Sequence, residues 1–427
     1  MPSRRAFLAA AATAAVAGCT ESGDGGGGTA TPDGATPPTE RTDSSTPATD
    51  TDTGGRADAE HLAWARSLSG PVTDRPTVAD GSVYAGTEAG TLVGVDAATG
   101  DRRWQYDTGE AVRGSPTVAD GAVVAVAGSQ ELHASQSVHA VEADSGRRRW
   151  RFAPQSWWLD ILGVHDGTAY VATTDDHLQA SGQTLYAVAL ADGSTEWSVE
   201  IGDNSGGLVT DDRVYVPTHG AVDAVGHDGT RDWRYEVPEY QFRTLSVLGD
   251  TVALVSASDP REPVVHGLDR TTGEQRWTFD DWRALTTQAV GDQLLVGGER
   301  IASLDPATGE PRWTADVQAT LYDAPVADGT LYVGSRTAAA ISLSDGGVEW
   351  TTPVDAYVAR PTGLLDDQVV FRRSESQEDR NRHVLALDAA SGERAWSYAG
   401  EAELTRFAMG AERVYAGEAS TLLSVTP

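Results

Sequence analysis

From residue 61 onward, apolar residues come in short alternating runs separated by tight polar turns. Asp80-Gly81 precedes Val83-Tyr84, Asp166-Gly167 precedes Ala169-Tyr170, and Asp328-Gly329 precedes Leu331-Tyr332. Asp-Gly between alternating runs is a hairpin signal, because both central residues of the favoured two-residue turn need positive φ. A second kind of turn ends in Gly four residues ahead of a Trp, as at Gly100, Gly146, Gly273, Gly309 and Gly392. Two turns and four runs predict a four-stranded antiparallel unit, strands a to d, expected in the first copy at 76–78, 83–87, 91–96 and 103–106. No stretch past residue 60 keeps a 3.6-residue apolar period for three turns, so long helices are not expected.

The unit repeats. Trp recurs at 64, 104, 150, 197, 233, 277, 313, 350 and 396, spacings of 36 to 47 residues. Such a period belongs to the blades of a propeller. Nine turns of the Asp-Gly class fall near residues 80, 120, 166, 212, 250, 292, 328, 367 and 411. The last has no Trp after it and Trp64 has no turn before it, so the two chain ends complete one blade. An all-β propeller of four-stranded antiparallel blades is expected, closed by an N-terminal strand. The repeat count is nine, whereas common propellers have about four to eight blades, so eight or nine are expected.

These repeats resemble the PQQ-like (pyrroloquinoline-quinone repeat) β-propeller family, whose docking pattern runs Ala, Gly at the seventh place and Trp at the eleventh. Ala140-Gly146-Trp150 and Ala386-Gly392-Trp396 match it; Gly94-Gly100-Trp104 and Gly267-Gly273-Trp277 put Gly in the leading place; Ala187-Gly193-Trp197 and Ala340-Gly346-Trp350 match as well. The resemblance implies that each Trp glues neighbouring blades, burying up to about 250 Å², and none of the nine is offered as a site residue.

The N-terminal region differs in kind. Ser3-Arg4-Arg5-Ala6-Phe7-Leu8 reads as a twin-arginine export motif built on Arg4 and Arg5. The thirteen residues from Ala6 to Gly18 cover about 20 Å as a helix, short of the roughly 30 Å of a bilayer core, so 1–18 reads as a signal peptide. Val16-Ala17-Gly18-Cys19 resembles a lipobox, with Cys19 as the lipidation site. From Thr20 to Ala59 there is no Val, Ile, Leu, Met or aromatic residue, so 19–59 is read as a Thr/Pro/Gly/Asp-rich disordered tether that would reach roughly 35 Å. Residues 60–427 form the propeller.

Composition narrows the function. The 63 acidic and 32 basic residues leave a net charge of −31, and every basic residue is Arg. That balance repels nucleic acid and resembles the habit of extreme halophiles. A single Cys excludes disulfides and Cys-rich metal sites within the chain. His133, His139, Asp175, Asp176 and His177 are of ligand type but lack zinc or calcium spacing, and read as loop residues.

Strand alternation puts the b–c loops and the d–a connections on one face, and the short turns on the other. Four b–c loops are long: 128–137, 173–184, 257–263 and 373–383. The d–a connections carry Arg113, Trp157, Trp158, Asp160, Tyr240, Phe242, Arg243, Trp282, Arg283, Tyr322, Tyr357, Arg360, Arg406 and Phe407. From these we take Arg113, Trp157, Trp158, Arg243, Trp282, Arg283, Tyr322, Tyr357, Arg360 and Arg406 as binding-face candidates, the arginines all preceding an inner strand. A ring of guanidinium groups and aromatic faces suits a planar anion or a partner's carboxylates; the alternative is that these residues pack blades and pair with surrounding acids.

The layout resembles BamB-type assembly lipoproteins: signal peptide, lipid-bearing Cys, tether and propeller. It implies a membrane-anchored binding or assembly scaffold on the outer face of the cytoplasmic membrane, non-catalytic and monomeric, with protein partners or glycans and no nucleic acid. No catalytic residue, metal ligand or cofactor is expected. The alternatives are a polysaccharide-binding module and a sugar or alcohol dehydrogenase using PQQ with calcium. Quinoprotein dehydrogenases of the related family use a vicinal Cys pair and a calcium held by acid and amide side chains, neither of which this chain matches.

Overall fold

The computed structural model describes residues 60–427 except 130–134, 155, 157, 174–182, 203–205, 238–240, 258–261, 355–357 and 375–381. The twin-arginine motif, Cys19 and the tether lie outside the described residues, as do His133, Asp175, Asp176 and His177 and most of the four long b–c loops. The described chain makes nine four-stranded antiparallel sheets, each with strand order a-b-c-d. Blade 1 comprises Thr77–Ala79, Ser82–Gly86, Thr91–Asp96 and Arg102–Asp107, within a residue of the expected bounds. The arithmetic of nine therefore holds.

Blade 9 is composite. Its strands a to c are Ala408–Met409, Val414–Glu418 and Thr421–Val425, and its strand d is Leu62–Ser67 from the opposite end of the chain. The a–b turns are built by left-handed pairs such as Asp80-Gly81 (φ 46 and 69) and Asp328-Gly329 (φ 49 and 81), the geometry that follows strand twist. Strand b is buried along its whole length in most blades, because blades stack face to face on both sides of it.

The docking motif has a physical explanation at each place. Its leading small residue is the cross-strand partner of the Trp, as in Gly94↔Trp104, Ala140↔Trp150 and Ala386↔Trp396. The indole lies across that partner and leaves room for little: a Cβ on Gly267 would come within 2.0 Å of the Trp277 ring. Its central Gly lies under the Trp of the preceding blade, so that a Cβ on Gly309 would meet the Trp277 ring at 2.6 Å. The indole N–H then donates to a carbonyl of that same turn. Trp64, Trp104, Trp150, Trp197, Trp233, Trp277, Trp313 and Trp350 do so at 2.6–3.1 Å, reaching Ala97, Ala143, Leu190, His227, Arg270, Pro306, Leu343 and Ala389.

Trp396 departs from the rule because blade 9 has no c–d turn; its c and d strands belong to opposite ends of the chain. Its indole donates instead to Gln368 Oε1 at 2.6 Å and stacks on His61, 5.2 Å between ring centroids. Closure is then completed from blade 9 to blade 1. Ala97 O accepts from both Trp64 and Tyr415, and Arg66 donates to Gly100 O at 2.7 Å.

If the glycine under the ring serves the ring and not only the turn, two left-handed glycines must respond differently to alanine. Gly329 (φ +81) has open space where its Cβ would go, whereas Gly309 (φ +74) faces Trp277. Gly329→Ala should cost about 1–2 kcal/mol, the left-handed backbone penalty. Gly309→Ala should cost roughly 2 kcal/mol more, the penalty of overpacking. Chemical denaturation of both variants checks this, and equal losses would show that the turn alone sets the requirement.

Candidate binding face

The d–a connections and the b–c loops share one face, and the described candidates are placed on it unevenly. Arg113 and Arg360 lie inside their inner strands, Val112–Ala119 and Val358–Leu365, rather than ahead of them. Arg243 also lies within a strand, Gln241–Leu248, but its side chain is outside the described residues, as are Trp157 and Tyr357. Arg113 donates to Gly128 O of its own blade at 3.0 Å. Trp282 packs edge-on against Phe279 at 5.5 Å, joined to the core of blades 5 and 6. The carbonyl of Arg283 accepts from Glu299 N at 3.2 Å. Trp158 is 43% exposed and Tyr322 41%.

One arc, from the connection into blade 7 round to blade 1, gathers the rest. The Arg360 guanidinium sits over the Tyr322 ring, 5.5 Å from its centroid. Arg406 grips Asp74 with two bonds, Nε to Oδ1 at 3.0 Å and Nη2 to Oδ2 at 2.6 Å, joining blade 9 to the connection that opens blade 1. Burial opposes the charge on Asp74, yet the bond and ion pair with Arg406 hold its carboxyl below the usual carboxylate range. Arg75 lies beside this pair, lowered by burial and by the Arg406 charge, with Asp323 acting on both arginines. Arg372, on strand b of blade 8, is pushed down to about 10 by burial and then by Arg360 and Arg406. A cleft of about 160 Å³ between blades 6, 7 and 8 is lined by Gly298, Gln318, Thr320, Gly334, Ser335 and Arg360.

Sequence reading did not single out Asp74, Arg75, Asp323 or Arg372. The first two stand in the connection between Trp64 and blade 1, the same class of loop as the other candidates, so the signal was present. Arg372 has none, since it sits within a strand and only the register shows what it faces.

His139 corrects the loop reading. It is 2% exposed on strand c of blade 2, Ser137–Glu142. Its Nδ1 pairs with Tyr106 OH of blade 1 at 2.9 Å and its Nε2 with Ser137 Oγ at 2.9 Å. His266 repeats this arrangement with Tyr235 of the preceding blade and Ser256. Among the described residues no group of three or more His, Cys, Asp or Glu could hold a metal ion, and no helix is long and apolar enough to cross a membrane.

The comparisons agree with the repeat. A family model described as outer membrane protein assembly factor BamB matches residues 47–135, 132–200, 181–320 and 297–425. The quinohemoprotein alcohol dehydrogenase of Comamonas testosteroni is 28% identical over 236 residues, 45% of this chain and 31% of that enzyme. Its crystal structure superimposes with a TM-score of 0.50 at 14% identity, covering 86% of this chain and 76% of that one. The serine/threonine-protein kinase AfsK of Streptomyces griseus is 33% identical over 131 residues, 29% of this chain and 15% of the kinase. The computationally designed Ika8 protein aligns with a TM-score of 0.56 at 14% identity, covering 86% of this chain and all of that one. In sequence the match thus spans less than a third of the length of the dehydrogenase and of the kinase. Since a dehydrogenase and a kinase share the repeat, it carries the fold and not an activity.

Burial, with the Arg151 and Arg148 charges, lowers His139 from 6.5 to about 4. The unfolded chain therefore takes up this proton first, and His-linked stability is lost as pH falls from about 6.5 to about 4. Asp160, raised by burial to about 6, works in the opposite sense over much of that window. Comparison with His139→Gln removes that background: the stability advantage of the parent should shrink by on the order of 3 kcal/mol between pH 6.5 and 4, measured by urea unfolding. A constant difference would show that folding does not lower the His139 pKa.

Proposed function

The chain belongs to the family described as outer membrane protein assembly factor BamB, and from that membership we propose that it is an exported, membrane-anchored and non-catalytic scaffold that holds a protein partner. The observation that supports this most is the inequality of the two faces. Short turns capped by their own Asp residues, such as Asp96 accepting from Ala98 N and Thr99 N, make one face regular. The other face carries exposed Trp158 and Tyr322 and the arginine-rich arc. Aromatic and Arg side chains are the ones that anchor protein interfaces. In this reading export through Arg4 and Arg5 and a lipid on Cys19 place the propeller, as a monomer, on the outer face of the cytoplasmic membrane, with residues 19–59 as tether.

The likeness to the dehydrogenase motivates a second reading, quinone-dependent oxidation of a sugar or alcohol. The residues do not fit it well: the sole Cys is Cys19, so no vicinal pair exists, and no described cluster of ligands would hold calcium. A polysaccharide-binding module would also use exposed aromatics, and the same experiment distinguishes it.

A photo-crosslinking residue in place of Trp158 or Tyr322, irradiated in native membranes, should give a discrete protein adduct. The same residue at exposed Thr308, on the turn face, should give none. Cys19→Ser should abolish the adduct together with membrane partition. Adducts of equal yield from both faces, or glycan adducts alone, would contradict the scaffold reading; a PQQ absorbance band that stays with the protein through gel filtration after incubation with PQQ and calcium would favour the dehydrogenase.

A further inference from the structure

Arg360 and Arg372 stand directly opposite each other on strands a and b of blade 8. Directly opposed residues of an antiparallel pair project to the same side, and like charges so placed are destabilising. In a chain with 63 acidic residues such a pair could readily have been neutralised. Yet among the described residues neither guanidinium has a carboxylate within ion-pair distance, and the contact Arg360 makes is with the Tyr322 ring. Arg406 shows the contrast, since Asp74 engages it with both carboxylate oxygens.

On the premise of the scaffold reading above, the geometry points to Arg360 and Arg372 as the seat for one carboxylate side chain of an acidic partner protein, with Tyr322 as the apolar wall beside it. Two guanidinium groups on one side of a strand pair can each offer parallel N–H donors to a planar carboxylate. Bringing that anion between them removes the repulsion that the empty pair carries.

The charge of the surroundings selects the occupant. Among the described residues, Arg75, Arg360, Arg372 and Arg406 act in one neighbourhood with Asp74, Asp323 and Glu403, so four positive and three negative groups there leave one net positive charge. That balance suits a monoanion and disfavours a phosphate dianion. The adjoining cleft of about 160 Å³ is roughly half the lower limit of small-molecule pockets, a size that suits a carboxylate side chain. Tyr322 precedes Asp323, one of two left-handed non-glycine residues outside the a–b turns among the described residues (φ 52).

The test uses the full propeller and a fluorescein-labelled acetyl-pentaglutamate peptide in about 1 M KCl, where a screening length of about 3 Å leaves only contact pairing. Fluorescence anisotropy should show saturable binding of this peptide and none of its pentaglutamine counterpart. Arg360→Gln and Arg372→Gln should each weaken it by roughly tenfold to a hundredfold, and Arg360→Lys should not restore it, because an ammonium lacks the fork. Without peptide, the thermal midpoint of either Gln variant should equal or exceed that of the parent. Equal binding of both peptides, no binding, or undiminished binding by the Gln variants would overturn the assignment. So would tighter binding of polygalacturonate through the same two arginines. Should Arg372→Gln fail to fold, exposed Arg360 decides alone. Crosslinking from Trp158 with no pentaglutamate binding would refute this site and leave the scaffold standing.

Discussion

Every blade of this propeller depends on the seating of one indole. The ring needs a small residue across from it on its own strand c, a glycine beneath it on the next blade, and a carbonyl in that next turn to accept its N–H. Buried without that acceptor, the N–H would cost about 1–3 kcal/mol, and with any larger neighbour the ring could not lie flat. Satisfying all three fixes both the distance and the rotation between successive blades. Eight of the nine docking indoles meet the requirement identically, at 2.6–3.1 Å from their carbonyls. The ninth, Trp396, departs from it, bonding Gln368 of its own blade and stacking on His61, because blade 9 is where the two ends of the chain meet.

This constraint explains which parts of the molecule were legible in the sequence. The Trp, its Gly and its small partner recur within a few residues of each other along the chain, so the blade could be read directly, and unmatched Trp64 announced the composite blade. The candidate binding face was legible only as a class of loop. Arg406 and Asp74 are 332 residues apart and become neighbours only when the ring closes. Arg372 is paired with Arg360 by a register that no local pattern displays. His139 read as a loop residue because it follows a long loop; in the fold it is the strand residue that receives Tyr106 from the blade before. Two candidates also make contacts within the frame: Trp282 packs against the core between blades 5 and 6, and Arg113 bonds within its own blade.

A ring built from such units separates stability from function. The turn face is regular because each c–d turn must seat an indole, and it has little freedom to vary. The opposite face carries no such duty, so aromatic and cationic groups can accumulate there at small cost to the fold. Relatives that share the repeat while carrying the names of a dehydrogenase and a kinase are consistent with a frame that tolerates different attachments. In this chain the unusual feature is positive charge concentrated on one arc of a strongly acidic protein, with two arginines left facing each other.

The central claim is that the indole N–H bonds hold successive blades together, and hydrogen exchange at the indoles of ¹⁵N-tryptophan-labelled protein tests it most directly. The eight indoles bonded to the next blade should be protected to a common degree that tracks global unfolding, while the indole of exposed Trp158 exchanges at the rate of a free side chain. Docking indoles that exchange as fast as Trp158, or that open one by one with unrelated free energies, would contradict it.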